Sequence, residues 1–251
     1  MNVFIAGGAS GIGYSLAHHY LKKDFRVGIC GRDVSKIPEN NSQNLKVFEA
    51  DVCDMNSVFS AVKNFLSNNE NLDLFINCAG SYAEDVAGNI TYEEAEEMLR
   101  TNIVGTVNCF EAARTVMKGQ QSGKIAVIAS VSGILDYENS SLYTKTKRSV
   151  IQIADAYRRA LQPFGISVTT IAPGYVDTSK LRQLNNNDLS KKPFLTDLET
   201  ATEIIAQAIE ERKKFIIFPS KMKFMMKALA LLPSSLLNII MFKKAKWMKN
   251  K

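Results

Sequence analysis

The chain has 251 residues, of which 46% are hydrophobic and 22% are charged, and it contains four cysteines and two histidines. This length favours one large α/β domain, which can bury a hydrophobic core large enough to be stable without disulfide bonds or structural metal ions. His18 and His19 are adjacent, which argues against a multi-histidine metal site, so no metal is predicted. The widely spaced cysteines indicate free thiols in a reducing compartment.

The positive charge is concentrated at one end of the chain. The net charge is +6, yet residues 219–251 hold eight lysines and no acidic residue, which leaves −2 for the remainder. Because the charge is confined to this segment, it does not indicate that the rest of the chain forms a basic domain that binds nucleic acid. The first residues lack the basic and apolar regions of a signal peptide, so we expect a cytoplasmic protein.

Short apolar runs alternate with amphipathic stretches through residues 1–218. Strands are predicted at 2–6, 25–30, 45–49, 72–76, 123–129, 166–172 and 214–218, and helices at 11–22, 54–67, 92–117, 142–162 and 197–211. Polar runs at 40–44 and 185–188 predict loops. Continuous apolar strands between helices indicate a doubly wound, Rossmann-type α/β domain with seven parallel strands. Ligands bind at the carboxyl ends of the strands in such sheets.

A glycine-rich run, AGGASGIG at residues 6–13, lies between the first predicted strand and the first predicted helix. Glycines allow a backbone to turn tightly and approach a pyrophosphate, and the helix amino terminus offers free N–H groups. The run therefore predicts a dinucleotide site. The alternative is a tight turn that serves packing alone.

The end of the second predicted strand bears on which dinucleotide binds. An acidic residue there would accept a hydrogen bond from the ribose 2′-hydroxyl, but Gly31 stands at that point and Arg32 follows it. A guanidinium is well suited to a 2′-phosphate, which predicts a preference for NADP(H). Asp33 could instead bind the ribose of NAD(H) if the strand ends later, and Arg32 would then be a solvated loop charge.

Three polar residues have the types and spacing that carbonyl reduction needs. Tyr143 and Lys147 are four residues apart on a predicted helix, so their side chains share one face. A nearby ammonium favours the phenolate and lowers the tyrosine pKa toward a useful range. Ser130 follows a predicted strand and can hydrogen-bond the substrate oxygen, with Ser132 as its alternative.

Taken in chain order, these and further motifs resemble the short-chain dehydrogenase/reductase family over residues 1 to about 218. The motifs are the G-x-x-x-G-x-G spacing of residues 7–13, Asp51-Val52, the N-C-A-G run at 77–80, Asn102, Ser130, the Y-T-K-T-K run at 143–147, and Pro173-Gly174 with Thr178 beyond. Their combination in this order is highly specific.

The resemblance implies a role for each matching residue. Tyr143 would be the general acid/base, and Lys147 would bind the nicotinamide ribose and lower the pKa of Tyr143. Ser130 would orient the carbonyl, and Asn102 would hold a water of the proton relay. Cofactor contacts are implied for Gly7, Ala9, Ser10, Gly11, Ile12, Gly13, Arg32, Asp51, Val52, Asn77, Ala79, Gly80, Tyr143, Lys147, Pro173, Gly174, Val176 and Thr178. The helices at 92–117 and 142–162 resemble those through which the family forms dimers and tetramers.

The substrate is less well defined by the sequence. Residues 81–88, 133–139 and 175–195 are expected to wall the pocket, with Tyr137, Tyr175 and Phe194 as candidate aromatic walls. Residues 179–192 are polar and are expected to form a lid. The apolar, basic extension 219–251 is predicted to be helical. It would either cover the cleft or a subunit interface, or anchor the protein on an anionic membrane surface.

The leading hypothesis is an NADP(H)-preferring oxidoreductase that interconverts a ketone or aldehyde and an alcohol, with a lipophilic substrate suggested by the extension. One alternative is a non-catalytic regulator that reads the redox state of a dinucleotide. Another is a membrane-surface interaction protein that acts through the extension, because both of its apolar runs are too short to span a bilayer.

Overall fold

The structure is a computed structural model that describes residues 1–35, 37, 42–66, 70–84, 90–138 and 140–249, the last eight by their backbone alone. Parts of several predicted segments lie outside these residues: positions 40–41 of a loop, 67 of a helix, 85–88 and 139 of the pocket walls, and 250–251 of the extension.

Seven parallel strands form one sheet, as predicted. They are β1 (Asn2–Ala6), β2 (Arg26–Gly31), β3 (Leu45–Glu49), β4 (Leu74–Asn77), β5 (Gly123–Ile128), β6 (Ile166–Pro173) and β7 (Phe215–Phe218). Their spatial order is β3-β2-β1-β4-β5-β6-β7, and each neighbouring pair is parallel. The order reverses between β1 and β4, where open α/β sheets form a ligand crevice.

The helices of the described residues are α1 (Gly11–Leu21), α2 (Met55–Phe65), α3 (Tyr92–Leu99), α4 (Gly105–Gln120), α5 (Leu142–Leu161), α6 (Ser179–Gln183), α7 (Leu198–Glu210), α8 (Ser220–Ala230) and α9 (Ser234–Lys249). Of these, α1 and α7 pack on one face of the sheet, and α2, α4 and α5 pack on the other. Single 3₁₀ turns occupy Val131–Gly133 and Gln162–Phe164.

Successive residues of β1 enter different core layers, because side chains alternate across a strand. Phe4 packs in the layer that contains α2 and α4, whereas Ile5 packs in the layer that contains α1 and α7. Both side chains are fully buried. Strands buried on both faces explain why the sequence shows unbroken apolar runs rather than alternation.

The helix predicted at 92–117 has an irregular centre. It begins with a capping box in which Thr91 and Glu94 satisfy each other's backbone N–H groups. A π-helical turn at Arg100–Val104 then separates α3 from α4, and the Gly105 N–H donates to the Arg100 carbonyl. The hydrophobic period does not reveal such a turn, because one wide turn leaves the apolar face of each half intact.

The two C-terminal helices follow β7 directly. Met222, Met226 and Leu237 form a third apolar cluster with Leu135, apart from the two layers beside the sheet. The Glu138 N–H donates to Asn238 Oδ1 over 3.0 Å, which joins α9 to the loop after the first 3₁₀ turn. Within the described residues, no helix is both long and apolar enough to cross a membrane.

Candidate active site

The predicted catalytic residues converge beyond the carboxyl ends of β4 and β5. Ser130 follows β5 and caps the 3₁₀ turn, where its Oγ accepts a 3.1 Å hydrogen bond from the Ser132 N–H. The Ser130 hydroxyl also lies beside the Tyr143 phenol, where its hydrogen-bonding effect lowers the pKa of the tyrosine. Ser130, rather than its sequence alternative Ser132, is therefore the serine beside the tyrosine.

A close contact at Gly133 fixes the distance between the serine turn and α5. A Cβ at Gly133 would lie 2.6 Å from the Arg148 nitrogen and 2.7 Å from the Lys147 carbonyl oxygen. Any larger residue would push this turn away from the helix that carries Tyr143 and Lys147. Gly133 thus keeps Ser130 within reach of Tyr143.

Tyr143 and Lys147 lie on one face of α5, one turn apart. The Lys147 Nζ is 5.9 Å from the centre of the Tyr143 ring and donates a 3.2 Å hydrogen bond to the Ile128 carbonyl. The ring of Tyr82 packs edge-on against Tyr143, with 5.0 Å between ring centres. The lysine side chain is therefore held between the end of β5 and the tyrosine.

Burial moves the pKa of both groups against the charged form. Burial raises the pKa of Tyr143 to about 12 and outweighs the lowering effect of its hydrogen bond to Ser130. Burial lowers the pKa of Lys147 to about 8. The expected lowering of the Tyr143 pKa by Lys147 does not appear, because removal from water dominates at both groups.

Asn102 lies in the π-helical turn and joins three segments. Its side-chain amide exchanges two 2.9 Å hydrogen bonds with the backbone of Ser81, in the loop after β4. Its Nδ2 also donates to Thr146 Oγ1 over 3.0 Å. Thr146 Oγ1 in turn donates to the Tyr143 carbonyl over 2.8 Å. Asn102 thereby positions both the loop after β4 and the first turn of α5.

Sequence reasoning missed Ser81, Tyr82 and Thr146 as members of this cluster. Ser81 contributes only backbone groups to Asn102, so its residue type carries no signal. Thr146 stands inside the Y-x-x-x-K spacing, and the helical period could have placed it beside Tyr143. Tyr82 lies within the predicted wall 81–88 but was not singled out.

The glycine loop has the shape of a phosphate cradle. Gly7 and Gly11 have φ values of +72° and +53°, which residues other than glycine rarely adopt. The N–H groups of Gly7 and Gly8 donate to the Cys30 carbonyl and fix the loop to β2. A Cβ at Gly13 would lie only 2.3 Å from the Gly7 oxygen, so loop and helix are in close contact.

The amino terminus of α1 has the free donors that an anion requires. Ser10 precedes the helix, but its side chain makes no capping hydrogen bond. The first N–H groups of α1 are therefore available, and the helix dipole favours negative charge there. These observations fit a pyrophosphate at the loop. Ala9 lies against Gly31 at the end of β2, and Ile12 packs partly into the core.

The predicted cofactor residues around this cradle lie in two groups. Near β3 and β4, Asp51 Oδ1 accepts from the Cys53 N–H and Asn77 Oδ1 accepts from the Ala79 N–H, while Val52 is buried. A Cβ at Gly80 would lie 3.2 Å from Lys147 Nζ and 3.4 Å from Asn102 Oδ1. Gly80 thus connects the cofactor side of the site with the catalytic side.

The second group follows β6, which ends at Pro173. The Gly174 N–H donates to the Phe218 carbonyl over 2.8 Å, and Val176 is buried beside a bridge to Thr196. Thr178 caps α6, and its Cγ2 would be 3.7 Å from a Cβ at Gly11. The Thr178 segment therefore lies beside the cradle at Gly11.

Arg32 is already paired with a carboxylate. Its guanidinium donates to Glu97 on α3 over 2.9 Å, and this pair is exposed, with 57% and 47% of the two side chains accessible. The hydrogen bond to Glu97 raises the Arg32 pKa, so the guanidinium stays charged. Asp33, the alternative ribose ligand, accepts hydrogen bonds from Ser35.

The C-terminal extension packs onto two of the predicted pocket walls. Tyr137 and Tyr175 both contact the cluster formed by Met222, Met226 and Leu237. Phe194, the third candidate wall, is 39% exposed. The predicted lid contains α6 and is braced by an Arg182–Asp177 pair with nitrogen–oxygen distances of 2.6 and 2.5 Å.

In the described part of the chain, no group of three His, Cys, Asp or Glu side chains is arranged to hold a metal ion. All four cysteines are free, and Cys30 and Cys109 are buried.

A family model described as short chain dehydrogenase matches residues 1–189, about three-quarters of the 251-residue chain. The chain belongs to the short-chain dehydrogenase/reductase family. An uncharacterized oxidoreductase of Staphylococcus aureus strain MW2 is 31% identical over 191 residues, covering 74% of this chain and 83% of the relative. This short-chain dehydrogenase/reductase is accordingly an NAD(P)-dependent oxidoreductase.

Solved structures of the family share its fold. The structure of ElxO with NADP bound has a TM-score of 0.75 at 27% identity, covering 86% of this chain and 94% of that one. A short chain dehydrogenase from Burkholderia cenocepacia J2315 in complex with NADP has a TM-score of 0.80 at 19% identity, covering 94% of each chain. The latter likeness concerns the fold alone.

Proposed function

We propose that this short-chain dehydrogenase/reductase is an NADP(H)-preferring enzyme that interconverts a ketone or aldehyde and an alcohol, with residues 1–218 as its catalytic domain. The observation that carries the proposal is the juxtaposition of Ser130 and Tyr143, with Lys147 beside them, next to the glycine cradle. A protein that only bound a dinucleotide would not require this acid at the carboxyl edge of the sheet.

The chain's own residues supply the proton chemistry and the orientation. When bound, the nicotinamide supplies or accepts the hydride. Tyr143, whose pKa is about 12, is protonated at neutral pH and donates its phenolic proton to the developing alkoxide oxygen. Ser130 donates a hydrogen bond to the same oxygen and holds the carbonyl toward Tyr143. Asn102 keeps α5 and the loop after β4 in register through Thr146 and Ser81.

Lys147 would hold the ribose that carries the nicotinamide. Its ammonium lies near Gly80 and the end of β5, within the site and largely removed from water. A positive charge there stabilises a phenolate at Tyr143 whenever the alcohol is oxidised. The same lysine therefore contributes to cofactor binding and to the return of the proton.

The preference for the phosphorylated dinucleotide rests on Arg32. The glycine cradle and the free α1 N–H groups suit the pyrophosphate of either cofactor, with NAD(H) as the weaker ligand. The Arg32 guanidinium would bind the 2′-phosphate, and it would have to leave Glu97 to do so. Asp33 is directed to Ser35 instead.

A lipophilic substrate fits the pocket walls. Tyr137 and Tyr175 stand against methionines of α8, and Met side chains adapt to apolar partners of varied shape. We assign residues 219–251 to an extension that covers this wall. Assembly into a homodimer or homotetramer through α4 and α5, in the cytoplasm, completes the proposal.

A fluorescence titration with NADPH and with NADH tests the cofactor part directly. Tight NADPH binding with weak NADH binding is expected, followed by NADPH oxidation in a screen of apolar aldehydes and ketones. A preference for NADH would move ribose binding to Asp33. Binding of NADPH with no turnover across the screen would favour the non-catalytic regulator, and binding of neither cofactor would contradict the proposal.

A further inference from the structure

We propose that the outer face of α8 docks the protein on an anionic lipid surface. Phe224, Ala228 and Leu231 are spaced by four and three residues, which places them on one side of α8; we call them the α8 stripe. Phe224 is 77% exposed and Leu231, at the end of the helix, is 86% exposed. Among the side chains that the structure describes, no other large apolar one is as exposed.

The opposite side of α8 is the side that packs onto the protein. Met222 and Met226 are 3% and 9% exposed and lie in the cluster with Leu135. The helix is thus apolar on two opposite faces, of which the residues with described side chains cover only one. A surface helix normally presents a polar face to water, so an apolar outer face indicates a further contact.

Two lysines stand beside the stripe and suit a membrane interface. Lys221 and Lys227 lie three residues before and after Phe224, about 60° to either side of it at 100° per residue. Both are exposed. Lysine stems can lie along an apolar surface while the ammonium groups reach the level of lipid phosphates.

The charge of the whole extension favours an anionic lipid surface over a second copy of the chain as the partner of the α8 stripe. Residues 219–251 hold eight lysines and no acidic residue. An anionic leaflet attracts such a segment, with a contribution from each lysine near the surface. A second copy of the chain would instead bring two segments of the same charge together, which repel each other.

The C-terminal helix extends the apolar surface. Leu236, Ile239 and Ile240 at the start of α9 are 43%, 54% and 38% exposed. The described helices are too short or too polar to span a bilayer, so the contact would be peripheral. The inner face of α8 contacts Tyr175, a wall of the proposed pocket, so docking would bring that pocket toward the lipid. Only this last consequence rests on the proposed function; the docking itself does not.

Cosedimentation of the full-length protein with lipid vesicles tests the proposal. We expect binding to vesicles that contain phosphatidylglycerol, weak binding to pure phosphatidylcholine, and loss of binding as salt is raised. The double variant Lys221→Gln/Lys227→Gln should weaken binding by about 25-fold, because each lysine is worth roughly fivefold. The control Lys46→Gln/Lys63→Gln changes two exposed lysines elsewhere and should bind as the wild type does.

Phe224→Ser tests the apolar part and should weaken binding by about 10-fold. Its matched control is Tyr92→Ser, because Tyr92 is another aromatic side chain of similar exposure, 74%. NADPH binding, measured on every variant, reports folding and the proposed function independently of vesicle binding. Equal binding to both vesicle types, equal losses in variants and controls, or no binding to either vesicle would overturn the proposal. So would Phe224→Ser if it changed only the oligomeric mass, which would identify the stripe as a contact between copies.

Discussion

The two halves of the site differ in how they are held. On the reaction side, Asn102 and Lys147 are 0% and 6% exposed. Hydrogen bonds fix Asn102 to the loop after β4 and to α5, and a hydrogen bond fixes Lys147 to the end of β5. On the nucleotide side, Arg32 is largely exposed, and among the described residues one carboxylate holds it. Buried polar groups must be satisfied and therefore have one arrangement, whereas an exposed ion pair forms and breaks at little cost.

This difference indicates where the enzyme is rigid and where it can adapt. Changes on the reaction side should alter chemistry or stability strongly. Changes at the Arg32–Glu97 pair should shift cofactor preference by small factors without affecting the reaction.

The largest effect is expected for Tyr143→Phe. Removal of the phenolic proton should lower turnover by about 10³-fold, while NADPH affinity stays close to that of the wild type. The measurement is steady-state turnover with a carbonyl substrate beside a fluorescence titration. Tyr82→Phe removes a hydroxyl from the ring that packs on Tyr143, and it should leave turnover nearly unchanged. Equal losses in the two variants would remove Tyr143 from its assigned role.

An intermediate effect is expected for Lys147→Met, and it is measured as stability of the protein without cofactor. Burial lowers the Lys147 pKa from 10.5 to about 8, so a charge is held in the folded site at neutral pH against the cost of burial. An apolar side chain of similar length avoids that cost. The variant should gain roughly 2 to 4 kcal/mol of unfolding free energy at pH 7, less the lost hydrogen bond to Ile128.

The stability gain of Lys147→Met should depend on pH. Between pH 8 and 10.5 the unfolded chain binds a proton at Lys147 that the folded chain has released, so wild-type stability rises with pH in this window. The advantage of Lys147→Met should therefore be largest below pH 8 and fade toward pH 10.5. Urea unfolding at several pH values measures it, and an advantage that does not change with pH would contradict the assigned cause.

The smallest effect is expected for Glu97→Gln. Loss of the carboxylate frees Arg32 for a 2′-phosphate, and an exposed pair is worth up to about 1 kcal/mol, so NADPH should bind up to about fivefold more tightly. NADH binding should not change. Glu96→Gln is the control, because Glu96 is the adjacent residue and pairs with Arg100 instead, at 3.7 Å. An equal gain for both cofactors, or the same gain in the control, would contradict competition for Arg32.

The fold was predictable because covered strands and amphipathic helices leave different patterns of apolar residues. In β1, the consecutive residues Phe4 and Ile5 are both buried, on opposite faces of the sheet, which produces an unbroken apolar run. Residues of the candidate site that belong to motifs, such as Ser130 and Tyr143, could also be named in advance. Glu97 could not, because it meets Arg32 only through tertiary packing, across 65 positions in sequence. The Tyr143 pKa was predicted in the wrong direction, because a sequence does not show the depth of burial.

The π-helical turn at Arg100–Val104 has a consequence for changes in chain length. A π turn accommodates one residue more than an α-helical turn, so the extra residue is taken up within the turn while α3 and α4 keep their mutual orientation. Deleting one residue here would restore a regular helix and change the turn itself. Asn102 lies in that turn, so the deletion would break its hydrogen bonds to Ser81 and Thr146. Relatives that vary in length should therefore gain or lose residues in the loops on either side of this helix, and not within it.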